Sequence, residues 1–485
     1  MTPALPVTLA MWARQRLATA LSPFVVGLGA RVLAQVVAFA LVVVASRHLG
    51  LEAFGVYAIA WAGAVISSAL VYTGLYHAML RAPDIDAASD TLFWLILAAG
   101  GVLGSVLLAA GLLAGGAGST LGGALMAMAA LPVLAAPASW NEAHLVRDER
   151  VRAASLHSPI GETAGLAFAI WGFGAGYGLG ALIASRFVVV LVSLVITTAL
   201  VRRLPKPTIR WDVAGNSART AVPLWGTTGI GMFSAYGADL VLAFYLNPAA
   251  VGAFRGGARI AGTAADVVLQ PMRVLNWSRF SRLERAGERT AIRTAWCETQ
   301  AVAAAILWPA FMGVGLLAEP LVAVVFDEMW LAAAPVLAVL CVSQAIAVPL
   351  AVMEPALVCT GRAALLVRLR VTAGLALLAS LLVFGPWGAV SAAWGMALST
   401  ALVGGYVVTV LKRVLDLDAR DLAGTFAPGL ALALLCGVSV FALAPHVAAL
   451  SQPKALLAHI ALGAALWGAG VYLFVRTGWL RTPLP

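Results

Sequence analysis

Apolar stretches long enough to cross the roughly 30 Å hydrocarbon core of a bilayer recur from one end of the chain to the other. Shorter segments rich in arginine, glycine and proline separate them. Fourteen stretches read as helices, at about 23–46, 54–77, 92–114, 120–140, 155–173, 178–200, 220–246, 250–273, 295–318, 331–353, 364–384, 388–411, 426–445 and 455–475. Pro132, Pro137 and Pro159 interrupt the fourth and fifth, where the helical pattern is weakest. The intervening segments reach at most roughly 20 residues, too short for a soluble catalytic domain.

The charges test this count. With the N-terminus taken as cytoplasmic, segments on the cytoplasmic side hold 23 of the 31 Lys and Arg residues, from Arg14, Arg16 and Arg81 to Arg476 and Arg481. The opposite side holds Arg47 and Lys454, and the rest lie within the stretches. A bias of this size is the positive-inside pattern of a multi-pass protein with both termini in the cytoplasm. One miscounted span would scramble the alternation after it. The run following Arg14 and Arg16 lacks a small-residue cleavage site and reads as a first helix, not a signal peptide.

Composition agrees. Hydrophobic residues make up 62% of the 485 and charged residues 11%, against about 25% charged in soluble domains, and the mean hydropathy is +0.96. The net charge of +10 is accounted for by the cationic loops, so no nucleic-acid partner is expected. Cys297, Cys341, Cys359 and Cys436 lie in or beside apolar segments without metal-ligand spacing. No metal site and no catalytic constellation are expected. There is no P-loop, and the Gly174, Gly176, Gly178, Gly180 run reads as a tight turn, with no strand before it.

The chain echoes itself. Leu49–Tyr57, between the first two stretches, aligns with Leu246–Phe254 between the seventh and eighth at Leu, Ala, Gly and aromatic positions. At nearly the same offset Thr163-Ala164-Gly165-Leu166-Ala167 matches Thr372-Ala373-Gly374-Leu375-Ala376. These echoes imply an all-α membrane fold of two six-helix lobes in parallel repeat around a central cavity, residues 1–218 and 219–412, with a helix pair at 413–485.

A charge in hydrocarbon is costly, so ionisable residues inside the spans face a cavity or a partner. Arg31 lies in the first stretch, with Gln35 one turn on. Arg255, Arg259, Gly262 and Asp266 follow an i, i+4, i+7, i+11 series on one face of the eighth. Asp239 is nine residues before Pro248, and the two arginines are seven and eleven after, which places all three at similar depth. Two readings stay open. One is an Asp239–Arg255/Arg259 ion pair that locks the hairpin. The other is a cationic surface for an anionic ligand, with Asp239 and Asp266 as ion or proton sites. Ser67, Ser68, Tyr72, Thr73, Tyr76 and His77 make the second stretch unusually polar, through interhelical hydrogen bonds or as cavity lining. Glu162, Arg186, Glu298, Arg368 and Arg370 sit within a few turns of helix ends, where long side chains snorkel.

Ser46-Arg47-His48-Leu49-Gly50 with Phe54-Gly55-Val56-Tyr57 resembles the connection between the first two helices of the polysaccharide (O-antigen type) flippases, of the multidrug/oligosaccharidyl-lipid/polysaccharide exporter superfamily. Gly74 and Arg81 fit the same pattern. Asp239, Leu246 and Val251-Gly252-Ala253-Phe254 resemble that family's entry into the second lobe, with Asn247 for the usual Gly and Phe254 for the usual Tyr. Val325–Trp330 with Ala333–Leu337, and Cys359-Thr360-Gly361-Arg362, are similar to two later segments.

The resemblance covers most of the chain. It implies fourteen helices, a cationic cavity to which Arg31, Arg255 and Arg259 are assigned, and movement of an undecaprenyl-diphosphate-linked oligosaccharide from the cytoplasmic to the periplasmic leaflet of the bacterial inner membrane. It also implies coupling to an H+ or Na+ gradient with no resident cofactor, and other glycan-assembly membrane proteins as partners beside membrane lipid. A peptidoglycan-precursor flippase is the near alternative. A multidrug cation antiporter of the same superfamily fits the arginine-rich interior poorly. A membrane glycan polymerase or glycosyltransferase would have to rely on Glu319, Asp327 and Glu328.

Overall fold

The structure is a computed structural model that describes residues 23–480 except Pro83. Arg14, Arg16 and Arg481 of the loop-charge pattern lie outside the described residues. Among the described residues every regular element is helical, and helices occupy all fourteen stretches.

Eleven of these are long and apolar enough to cross a membrane on composition alone. The other three are the helices at Val151–Gly174, Trp211–Leu242 and Pro248–Arg285, the spans that carry Glu162, Asp239, and the Arg255 to Asp266 series. The chain is a multi-pass membrane protein whose ionisable residues concentrate in a few helices. It divides into two compact units.

The first unit comprises Met1–His48 and Ala60–Gly229. Its helices are α1 (Pro23–His48), most of α2 (Leu51–Val71), α3 (Gly74–Arg81), α4 (Ile85–Leu113), α5 (Thr120–Met128), α6 (Leu131–Arg147), α7 (Val151–Gly174), α8 (Leu179–Val201) and the start of α9 (Trp211–Leu242). The fourth stretch breaks once, between α5 and α6. Pro132 takes a position in the first turn of α6, where its missing N–H costs nothing, while Pro137 and Pro159 lie inside helices. Val71, Leu75, Met79, Leu92, Ile96 and Trp140 form the core, and the Trp140 indole N–H donates to Ser89 O at 3.0 Å.

The segment after α8 is pinned to the start of α4. Asp90 accepts from Lys206 N at 3.0 Å, Thr91 Oγ1 accepts from Arg210 N at 3.0 Å, and Trp94 Nε1 donates to Lys206 O at 2.8 Å.

The second unit comprises Leu49–Ile59 and Ile230–Pro485. It holds the rest of α9, then α10 (Pro248–Arg285), α11 (Arg289–Leu316), α12 (Ala318–Val325), α13 (Ala334–Ala347), α14 (Met353–Cys359), α15 (Ala363–Phe384), α16 (Ala389–Val414), α17 (Ala419–Val447) and α18 (Gln452–Arg476). The opening turns of α2 cross α10 at backbone contact. Phe54 stacks edge-on to Trp330 with ring centroids 5.0 Å apart, and Phe326 also meets Trp330 edge-on at 5.2 Å.

The structure extends α10 and α11 well past the expected ends at 273 and 295, into a helical hairpin that turns at 286–288. Gly287 supplies its positive φ of 73°. Phe280, Ile292 and Trp296 explain the extension. They are fully or almost fully buried against α14, α15 and α16, so the arginines around them ride on helices, not on a loop. α17 packs along α11 and carries a capping box of Asp418 and Asp421 at its start, where Arg293 of α11 pairs with both. Trp467 of α18 donates to Ala305 O at 2.8 Å.

Candidate functional site

In the second unit the turn Ala243–Asn247 folds α10 back along α9. Asn247 caps α10 by accepting from Ala250 N at 2.9 Å, and Pro248 begins the helix. This register brings Asp239 Oδ2 to 3.2 Å from Arg255 Nη1. Asp239 is buried, with 1% of its side chain exposed, against 15% for Arg255. The guanidinium also donates to Ala235 O at 3.3 Å and lies 4.3 Å above the Tyr236 ring centroid. A carboxylate this deep requires a counter-charge, and Arg255 provides it while keeping an accessible edge.

Arg259 follows one turn later on α10 and is half-buried, as is Asp266. Thr263 lies between them with its hydroxyl buried, and Gln270 is within hydrogen-bonding reach of Asp266. The face thus offers two guanidinium groups one helical turn apart, then a hydroxyl, a carboxylate and an amide. Planar guanidinium forks suit phosphate oxygens, since they stay charged and bind bidentately.

In the first unit Arg31 and Gln35 are exposed on α1, and Tyr72, Tyr76 and His77 are half-buried around the break between α2 and α3. Arg31 lies close enough to Tyr76 to act on it electrostatically. Sequence reasoning missed Glu142 of α6, whose charge reaches both Tyr72 and Tyr76. It also missed His157 of α7, 3.6 Å from Glu142. Neither forms a recognisable spacing with the polar residues of its own helix, and only the turn at 148–150 sets the two side by side.

The remaining interior charges are largely paired within their units: Arg186 with Glu162 at 3.3 Å, Arg279 with Glu298 at 2.5 Å, and Arg370 with Glu354 at 2.5 Å. Arg368 is exposed. Asp327 accepts from Glu328 N at 2.6 Å and caps a short 3-10 turn, a structural role. Among the described residues no group of three His, Cys, Asp or Glu side chains is placed to hold a metal ion.

The model of the polysaccharide biosynthesis protein family matches residues 44–335, more than half of the chain. The chain belongs to that family. A relative, the succinoglycan biosynthesis transport protein ExoT of Rhizobium meliloti (strain 1021), is 28% identical over 222 residues, 46% of this chain. That match spans 44% of the relative's length.

Among solved structures, the inward closed conformation of the lipid II flippase MurJ superposes with a TM-score of 0.73 over 94% of this chain and 99% of that one, at 11% identity. The inward-facing conformation of a multidrug resistance MATE family transporter of the MOP superfamily follows at 0.62, over 79% and 96%, at 14% identity. At such identities the likeness establishes the fold, which this polysaccharide biosynthesis protein shares with transporters of that superfamily.

Proposed function

We propose that this chain is a flippase that carries a polyprenyl-diphosphate-linked oligosaccharide from the cytoplasmic to the periplasmic leaflet of the bacterial inner membrane by alternating access. Both termini face the cytoplasm in this reading, as the basic segments indicate. The observation that carries it is the α10 face, where Arg255 and Arg259 stand one turn apart within a membrane span. Family membership, a MurJ-like fold and a relative named for succinoglycan transport support it.

A diphosphate bearing sugars cannot enter hydrocarbon unaided, whereas its polyprenyl tail is at home there. Arg255 and Arg259 receive the phosphates in the second unit, and Arg31 is the anion contact we assign in the first. Transport requires two conformations near balance, with ligand or ion shifting the population. An H+ or Na+ gradient supplies the drive, and Asp266 and Asp239 are the carboxylates of the second unit available to it. Gln35, Tyr72, Tyr76 and His77 offer hydrogen-bonding groups to sugar hydroxyls. The chain acts without a resident cofactor and without covalent catalysis, beside the membrane enzymes that build and polymerise the glycan.

The test is reconstitution in liposomes with a fluorescent undecaprenyl-diphosphate-linked disaccharide, followed by its protection from a membrane-impermeant quencher under an imposed proton or sodium gradient. Accelerated, gradient-dependent protection is expected. Translocation no faster than in empty liposomes, for this and longer glycans, rejects the proposal.

A further inference from the structure

The first unit contains a polar pair, a buried histidine facing a half-buried glutamate, that the α10 arginines leave unexplained. Glu142 lies five residues before the end of α6, and His157 lies six residues after the start of α7. At 1.5 Å per residue both are roughly 8–9 Å of helix from the 148–150 turn. Their facing atoms, His157 Nε2 and Glu142 Oε2, are 3.6 Å apart. That is too far for a hydrogen bond and close enough for a strong charge interaction. The His157 side chain is 9% exposed and that of Glu142 25%. His157 Nδ1 is buried without a hydrogen-bond partner. A neutral imidazole here is a desolvated polar group with little to hold it, and a buried polar group in that condition is costly.

We propose that Glu142 and His157 form a proton-binding site of the first unit, loaded from water at the α6–α7 turn, whose occupancy controls the rate of the transport cycle. Its place in transport rests on the flippase reading above, and its binding of a proton does not. Unloaded, the site holds a Glu142 carboxylate and a neutral imidazole, net charge −1. One proton taken from water converts His157 to the imidazolium and the net charge to zero, with no other bond made or broken. Imidazole is the side chain that titrates near neutral pH. Any motion of α7 along α6 that changes the separation of the pair changes its proton affinity, and by linkage the proton then biases that motion.

The neighbouring groups leave this role to the pair. Tyr72 and Tyr76 bring hydroxyls from around the α2–α3 break, and both feel the Glu142 charge. Arg31 of α1 acts on Tyr76, and His77 of α3 stacks edge-on to it at 5.3 Å. His144, on the same helix as Glu142, is bonded to Ser89 of α4 at 2.9 Å, and Arg147 donates to Met79 O at 3.1 Å. Glu162 of α7 and Arg186 of α8 pair with each other. Glu142 is therefore the one carboxylate of α6 and α7 within ion-pair distance of His157 among the described residues.

The test has two arms, each on the full chain in lipid. In the first, ring-labelled histidine is followed by NMR, and the His157 resonance is assigned by its loss in His157→Gln. The resonance is followed from about pH 5 to 8, the span that brackets imidazole protonation in general; proton binding should move it, and Glu142→Gln should alter that movement by removing the facing charge. A resonance that stays unprotonated across that range, or a movement indifferent to Glu142→Gln, overturns proton binding.

In the second arm the fluorescent disaccharide carrier is translocated at a series of pH values. The wild-type rate should change about tenfold over two pH units, and the profile should be flat in Glu142→Gln and His157→Gln. His144→Gln, outside the pair, should keep the wild-type profile. A wild-type profile in either pair variant overturns the role in transport. Should His157→Gln fail to fold, as read by size-exclusion chromatography, Glu142→Gln carries the same expectation. No translocation by the wild type at any pH counts against the flippase reading, while the histidine titration still decides the proton site.

Discussion

Gly55 of α2 and Gly252 of α10 meet at a helix crossing with no room for a side chain. A Cβ on Gly55 would lie 1.7 Å from Pro248 O, and one on Gly252 would lie 2.2 Å from Leu51 O. The two segments that echo each other in the sequence, Leu49–Tyr57 and Leu246–Phe254, are thus packed face to face within the second unit. Close approach through small residues is how membrane helices gain packing energy where lipid offers no hydrophobic drive.

Gly55→Ala and Gly252→Ala should therefore each destabilise the protein by about 3 kcal/mol, at the upper end for overpacking a tight contact. The obstacle is backbone and not a side chain that can turn aside. Gly405→Ala on α16, where an added Cβ meets nothing within 4 Å, should be neutral or slightly stabilising. Thermal unfolding in detergent, followed by tryptophan fluorescence, checks the contrast. Equal melting temperatures for all three variants would contradict the crossing.

Arg186 of α8 is 6% exposed, faces Glu162 at 3.3 Å and lies 5.0 Å from the Trp61 ring centroid. Glu162→Leu takes away its carboxylate and should cost about 3–5 kcal/mol, the penalty of uncovering a buried charge. Glu162→Leu/Arg186→Leu should lose less than Glu162→Leu alone. A double-mutant cycle of melting temperatures reads the difference, and transport per folded molecule should be unchanged in the double variant.

Span number and order were legible because length and mean apolarity suffice to mark a membrane helix. Asp239 opposite Arg255 was also legible, since it needs only the Pro248 turn and the rise per residue. The α10–α11 hairpin was not. Arg273, Arg279, Arg282, Arg285 and Arg293 give that region the look of a loop, and the helices are held by Phe280 and Trp296, whose burial depends on residues far along the chain. Glu142 and His157 stayed hidden for a related reason. They are fifteen residues apart on either side of a turn whose position, at 148–150, the prolines of the region obscured.

The Asp90 contacts make a separate prediction for the segment that follows α8. Asp90→Ala removes the acceptor of the Lys206 N–H and leaves Thr91 and Trp94 to hold the strand of chain that ends at Arg210. Loss of a hydrogen bond to a charged group is worth about 1.5–3 kcal/mol. Local opening should then rise roughly tenfold or more, and trypsin should cut faster by the same factor at Arg202 and Arg203. Cleavage should occur in inverted membrane vesicles and not in intact spheroplasts if this segment is cytoplasmic. Cleavage from the periplasmic side would reverse the orientation.

Asp239, Arg255 and Arg259 separate stability from transport, because the first two share an ion pair and the third lies a turn beyond it. Asp239→Asn leaves Arg255 facing an amide in a site where the aspartate is almost wholly buried, and should cost about 3 kcal/mol or more. Arg255→Ala should cost a similar amount, since it strands a carboxylate that is 1% exposed, so its transport defect cannot by itself be assigned to the ligand. Arg259→Ala leaves the Asp239–Arg255 pair in place and is the cleaner probe. Its melting temperature should fall by only a few degrees while the initial rate of carrier translocation drops at least about tenfold, the loss of one charge-assisted phosphate contact. Arg259→Lys should restore part of that rate, because the charge returns without the bidentate fork. Wild-type transport in Arg259→Ala would leave α10 with a structural ion pair and move the anion site elsewhere in the chain.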